Sequence, residues 1–270
     1  MAQARIGDID IHYELADYTD PWRVSETVLL HHGFARNMEF WRAWVPPLAR
    51  DYRVLRFDAR GCGKTTVPAR GEPYTIEQMI GDAVGLIDHL GIERVHWGAE
   101  ASGGIVGLAL AMAHPERIAS LTLCNTPFRL PQASNDLFIA AEVEQFGTGH
   151  WARKTLHNRI DVDKVPAGWI EWSIAEIDKT PPHIAIAQHD MIARGDLYPR
   201  LHEVKAPVLV MAGTKSRIAP QQQMTQMKQQ LPNAKLVLFE GDGQGIAFMA
   251  PERCVAEMRA FLEELKSATA

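Results

Sequence analysis

Glu100 and Ser102 stand two residues apart in the stretch VHWGAEASGG, between an apolar run and a pair of glycines. A serine hydroxyl attacks a carbonyl carbon when a neighbouring base takes its proton, and a carboxylate either attacks directly or holds a water. The side chains whose types suit such a step are Glu100, Ser102, Ser216, His32, Asp242 and Gln244, joined by His150, His157, His183 and His189 farther along. Gln244 is no base, because an amide takes no proton near neutral pH, whereas an imidazole with a pKa near 6.5 does. Each candidate also has an ordinary role: a hydrogen bond inside the turn for Glu100, a backbone bond for His32, solvation for Asp242 and a surface position for the later histidines. No His and carboxylate spacing of ligand type occurs, so no metal site is expected. DARGCGKT ends like a phosphate-binding loop but carries Asp58 five residues before Gly63, where that loop needs glycine, so its glycines are read as turning the chain.

The elements that must position these groups follow from the apolar pattern. TVLLHHG, YRVLRFDARG, RVHWGA, IASLTLCNTP, APVLVMAG and AKLVLFEG are short apolar runs ending in loops, as buried strands do. Helical patterns alternate with them. YTIEQMIGDAVGLIDHLGI opens on Thr75 three residues before Gln78, a capping pair, and closes at Gly91. GGIVGLALAMAHP, APQQQMTQMKQQL and PERCVAEMRAFLEEL are further helices, and MEFWRAWVPPLARD is a helical pattern that Pro46 and Pro47 bend or break. Such alternation predicts an α/β fold with a mostly parallel sheet covered by helices on both faces, and sites beyond the carboxyl ends of its strands. Residues 129–202 break the alternation and read as a helical lid containing Trp151, Trp169 and Trp172, with KTPPH as an interruption. The core is then 1–128 and 203–270. The three tryptophans are expected to divide between the interior of the lid and the wall of a substrate pocket.

Apolar residues make up 46% of the 270 and charged ones 23%, with a net charge of −5, which fits a globular chain and gives no basic footprint for nucleic acid or an anionic membrane. The first residues carry acids where a secretion signal needs an apolar stretch, and Cys62, Cys124 and Cys254 are too sparse for a disulfide framework, so the cytoplasm is the expected compartment. A small-molecule partner is expected, no cofactor is called for, and monomer and homodimer stay equally open.

The HHGF of His31–Phe34, the FDARGCG loop, the turn between strand and long helix, HPERIASLTL, APVLVMAG and FEGDGQG followed by PE together make the chain resemble the α/β-hydrolase family over nearly its whole length. Within it the sequence is most similar to the oxoadipate enol-lactone hydrolases and the aminoacrylate hydrolases. The resemblance implies an α/β-hydrolase sheet with a cap and a catalytic triad whose serine sits on a strained strand-to-helix turn. Against the pattern LGIERVHLVGHSMGG the alignment needs no gap from Leu90 to Gly104, and it puts Ala101 at the nucleophile position. Two shifted registers stay open, one with Ser102 at the tip and one with Glu100 there. The acid position, three residues after Gly213, falls on Ser216, and LCNTP offers only Asn125 and Thr126 instead; the histidine position, seven before Pro251, falls on Gln244. What the resemblance leaves intact is an oxyanion hole from the backbone N–H groups of Phe34 and Ser102, with His32 and Gly33 beside the substrate. The implied activity is hydrolysis or lysis of a small activated carbonyl compound without the usual relay. Alternatives are a noncatalytic small-molecule binder and a serine hydrolase using Ser102.

Overall fold

The computed structural model describes residues 1–269. Eight strands form one sheet: β1 (Ala2–Ile6), β2 (Ile9–Ala16), β3 (Thr27–His31), β4 (Arg53–Phe57), β5 (Val95–Glu100), β6 (Ile118–Cys124), β7 (Val208–Gly213) and β8 (Ala234–Phe239). Their order is β1-β2-β4-β3-β5-β6-β7-β8, with β1 and β2 antiparallel and β3 to β8 parallel. After β3 the chain moves outward to β4 and then returns to the other side of β3 as β5. The crossovers therefore diverge between β3 and β5, and a crevice opens past the carboxyl ends of these two strands.

Strands β3 and β7 are buried at every position, as a sheet covered on both faces requires. Alternation along β3 sends Leu29 to one face and Val28 and Leu30 to the other. Leu29 joins Leu86, Leu108 and Met224, which come from α2 (Ile76–His89), α3 (Ser102–Ala113) and α9 (Gln221–Gln230). Val28 and Leu30 pack instead with Leu48 of α1 (Val45–Leu48), Ile246 of α10 (Ile246–Met249) and Met258 of α11 (Pro251–Thr269). The capping pair is present on α2: the Gln78 N–H donates to Thr75 Oγ1 at 3.3 Å and the Thr75 N–H donates to Gln78 Oε1 at 3.1 Å. Pro46 and Pro47 sit in the first turn of α1, separated from a short 3₁₀ turn at Met38–Trp41, so the helical pattern there is split. The β1–β2 hairpin has no counterpart in the sequence reading. Its signal was Ile9, Ile11 and Tyr13 alternating behind Gly7, whose φ of 55° makes the turn.

Between β6 and β7 stand α4 (Gln132–Asn135), α5 (Ala140–Phe146), α6 (Thr148–Lys154), α7 (Ala167–Asp178) and α8 (Pro182–Arg194). The two ends of this segment are stitched together, with a bridge between Arg129 and Asp196 and the Leu197 N–H on Phe128 O at 2.9 Å. Its own apolar cluster joins Ala152, Ile174 and Ile177 to Ala35 and Phe40 of the loop after β3.

Candidate active site

The turn from β5 into α3 is made by one residue, Ala101, with φ 48° and ψ −118°. That region of backbone space costs a non-glycine residue roughly 1–3 kcal/mol and persists only where the surroundings impose it. Here they do: the Ala101 N–H is held by Cys124 O at 3.1 Å, and α3 approaches so closely that a Cβ on Gly103 would lie 2.5 Å from His31 O. The positive φ falls on Ala101. Glu100 is the last residue of β5 and Ser102 the first of α3, so neither shifted register has its residue at the tip. The Ser102 N–H lies in the first helical turn, where it has no intrahelical acceptor.

Ala101 and Ser102 line a cavity beyond the carboxyl end of β5. Its walls are mostly apolar, from Phe34, Ile105, Leu130, Leu137, Phe138, Trp151 and Ile192, with Gln244, Glu100, Arg36, Arg159 and His189 as the polar groups that bear on its chemistry. Phe34, Phe138 and Trp151 meet edge to face, with centroids 5.1 to 5.8 Å apart.

Glu100 is fully buried, and both its oxygens accept from Arg36 Nη1 at 2.9 Å. Burial pushes its carboxyl above the ordinary range, while the Arg36 charge and hydrogen bonds, the Arg159 charge and the Gly33 amide pull it down. The carboxylate occupies the space beside Gly33, where a Cβ would lie 2.0 Å from Glu100 Oε2. Gly33 is thus required by packing, and it does not line the main cavity. Nor does His32: its Nδ1–H donates to Gly33 O at 2.9 Å and its Nε2 accepts the Ala59 N–H at 3.0 Å, which ties the loops after β3 and β4 together. Burial takes its pKa down to about 3, so it is neutral.

Ser216 and Gln244 lie side by side beyond β7 and β8. Ser216 Oγ donates to Gln244 Oε1 at 2.6 Å and accepts the Ala219 N–H at 3.0 Å; Gln244 Nε2 donates to Asn125 O at 3.0 Å. Asn125 in turn bonds Gly213 N and the carbonyls of Gly243 and Gln244. This is a closed network of neutral groups, and nothing in it takes up a proton near pH 7.

Of the later histidines, His189 alone lines the cavity. It stacks on Phe138 at 4.1 Å and 11°, its Nε2 is buried without a partner among the described residues, and burial holds its pKa below the ordinary value. His150 is exposed beside Phe146, His157 borders a separate groove, and His183 Nε2 bonds Pro68 O at 3.0 Å. Asp242 is on the surface with Lys164 at 3.0 Å. Trp151 is in the cavity wall, but Trp169 and Trp172 are not; they border a second groove with Phe40, Arg42 and Phe248, because α7 turns them toward the loop after β3. Sequence reasoning missed Arg36 and Arg159, since nothing local in FARNM or HNRID separates a buried arginine from a surface one.

A family described as alpha/beta hydrolase fold matches residues 26–156, and one described as TAP-like protein matches residues 193–268. The RutD protein of Caulobacter vibrioides, named as a carbamate hydrolase, is 29% identical over 97% of this chain and 99% of its own. The enol-lactonase of Burkholderia xenovorans LB400 superposes with a TM-score of 0.88 and 25% identity, covering 97% of this chain and all of that one. A thermophilic esterase of Thermogutta terrifontis gives 0.86 and 26%, covering 98% and 99%.

Proposed function

We propose that this chain, which has the α/β-hydrolase fold, hydrolyses or cleaves a small activated carbonyl compound, such as an enol lactone, ester, carbamate or imine, without a serine nucleophile. The triad positions are Ala101, Ser216 and Gln244, and residues 129–202 serve as the lid. The observation that carries the reading is the strained apex at Ala101, held facing a mostly apolar cavity although its methyl group attacks nothing. What such a turn still supplies is the orientation of the Ser102 N–H, which together with the Phe34 N–H receives the carbonyl oxygen. Each donor of this kind is worth about 3–4 kcal/mol in the transition state.

Water is the nucleophile in this scheme. Its oxygen bonds the carbonyl carbon, its proton passes to His189 Nε2, and the negative charge gathers on the oxygen facing Phe34 and Ser102. The bond to the leaving group then breaks, and a stabilised leaving group such as an enolate needs little help from an acid. His189 suits the task because burial keeps it neutral and its Nε2 has no partner among the described residues. The activities named for the relatives, on a carbamate and an enol lactone, support this substrate range.

Incubation with enol lactones, carbamates and short-chain nitrophenyl esters tests the reading. Turnover is expected in the native chain and a loss of about 10²–10⁴-fold in His189→Ala. Consumption of none of them would remove it. The neutral Ser216–Gln244–Asn125 network favours a second reading, a noncatalytic binder, which predicts thermal stabilisation by a compound that is not consumed. A fluorophosphonate label on Ser102 would instead revive the serine hydrolase; none is expected.

A further inference from the structure

Ala35, in the loop after β3, is fully buried and has a φ of 52°. The Arg36 N–H donates to Gly33 O at 3.3 Å, which closes a four-residue turn, and of its two central residues only Ala35 has positive φ. That is the pattern of a type II turn, whose third residue is ordinarily glycine or asparagine, so alanine gives the turn no preference of its own. Its backbone is held from outside on both sides of the residue. The Ala35 N–H donates to Gln188 Oε1 at 3.0 Å, and Thr180 Oγ1 donates to Ala35 O at 3.2 Å. Gln188 belongs to α8 and Thr180 to the turn between α7 and α8, both within the segment proposed as the lid. The Gln188 amide is fixed in its orientation, because Nε2 donates to Tyr74 OH at 2.9 Å and to Cys62 Sγ at 3.1 Å. Gln188 and Thr180 are 5% and 1% exposed, so both bonds to Ala35 are shielded from solvent. Turning the Phe34–Ala35 peptide over would relieve the strain at Ala35, but it would set Phe34 O against Gln188 Oε1, one acceptor against another.

We infer that Gln188 and Thr180 are positioning residues, which lock the turn after β3 so that the Phe34 N–H stays aimed at the reacting carbonyl oxygen. The aim rests on the function proposed above; the lock does not. Phe34 lies between Gly33, packed on the buried Glu100 carboxylate, and Ala35, pinned by Gln188 and Thr180. One donor of the pair is built into the body, since the Ser102 N–H opens α3, and the other is completed by α8, whose next residue, His189, lines the cavity. A dipole aimed in advance stabilises developing charge without reorganising during the reaction. Loosening α8 therefore unsettles the turn as well as the cavity wall.

The test combines amide hydrogen exchange, read residue by residue by NMR, with steady-state turnover of an enol lactone, a carbamate and a nitrophenyl ester by the full chain. In Gln188→Met the Ala35 amide should exchange about 10-fold faster, the ratio one buried hydrogen bond supplies, while the amides of β3 and β5 keep their rates. The same variant should lose on the order of 10²-fold in kcat with KM within a few-fold, as a misaimed group gives. Thr180→Val should move both readings the same way by less, and it carries the comparison should Gln188→Met fail to fold. Gln188→Glu, which keeps an acceptor for the Ala35 N–H, should keep part of the turnover. The decisive variant adds Ala35→Gly to Gln188→Met: glycine takes positive φ freely, so the turn holds itself and kcat recovers, although the lost methyl lowers the melting temperature further. A merely structural role predicts the reverse. An Ala35 amide that keeps its native exchange rate in Gln188→Met, an unchanged kcat there, or a double variant weaker still would overturn the inference. A native chain that consumes none of the three compounds sinks the hydrolytic reading alone, and the exchange rates still decide this one.

Discussion

A serine at position 101 would meet a backbone already bent for it, but neither Gln244 nor Ser216 would take its proton, one being an amide and the other a hydroxyl, each engaged by the other. Ala101→Ser alone is therefore expected to leave hydrolysis of a short-chain nitrophenyl ester unchanged and to take no fluorophosphonate label. Ala101→Ser with Ser216→Asp and Gln244→His should gain turnover by about 10²–10⁴-fold, the usual contribution of a positioned base. Glu100 calls for a different experiment. Replacing it by glutamine leaves Arg36 buried, 5% exposed, and facing an amide, a loss of about 3–5 kcal/mol in chemical denaturation. Arg36→Met combined with Glu100→Gln should recover most of that loss, since the pair goes together. Turnover measured on Glu100→Gln has to be read against this instability, and the double variant separates the two.

At the level of elements, α3 approaches the end of β3 closely at Gly103, and the proposed function needs that approach to aim the Ser102 N–H. Gly103→Ala places a methyl 2.5 Å from His31 O and 2.6 Å from His32 O, both backbone atoms that cannot swing away. It should destabilise by about 1–3 kcal/mol and lower turnover further than the unfolded fraction explains. Gly81, inside α2 with nothing within 4 Å of a Cβ, is the control: alanine there should stabilise by about 0.5–1 kcal/mol. The strands and helices of the sheet were legible because β3 and β7 are apolar at nearly every position and α2 carries both cap residues. The apex at Ala101 was legible because its small neighbours, Ala99 and Gly103, suit a crowded turn. Trp169 and Trp172 were not separable from Trp151, since all three are aromatic residues on short helices and only packing against Phe40 sends two of them away. Arg36 and Arg159 escaped notice for the same reason: their burial comes from elements more than sixty residues away in one case and from a cavity wall in the other.

Across the whole molecule, several buried imidazoles are held neutral, and they bear on how the fold responds to acid. Burial lowers His31 to about 4 and His32 to about 3, and it lowers His96 and His189 as well. The unfolded chain protonates each of them near pH 6.5, while the folded chain does so only below its lowered value. As pH falls from about 6.5 toward 4, the unfolded state therefore binds more protons, and each fully shifted imidazole removes roughly 1.4 kcal/mol of stability per pH unit. Glu100 and Asp82 act in the opposite sense, since burial raises both and the folded state takes up their protons first. Their contribution is therefore subtracted from that of the imidazoles. Denaturant unfolding measured at intervals from pH 7 to 5 should show stability falling by about 1 kcal/mol per pH unit or more. His32→Gln, which keeps a donor and an acceptor but does not titrate, should flatten that slope by about one group's share. A profile that stays level or rises on acidification would mean that His31 and His32 are hydrated rather than sealed between the loops after β3 and β4.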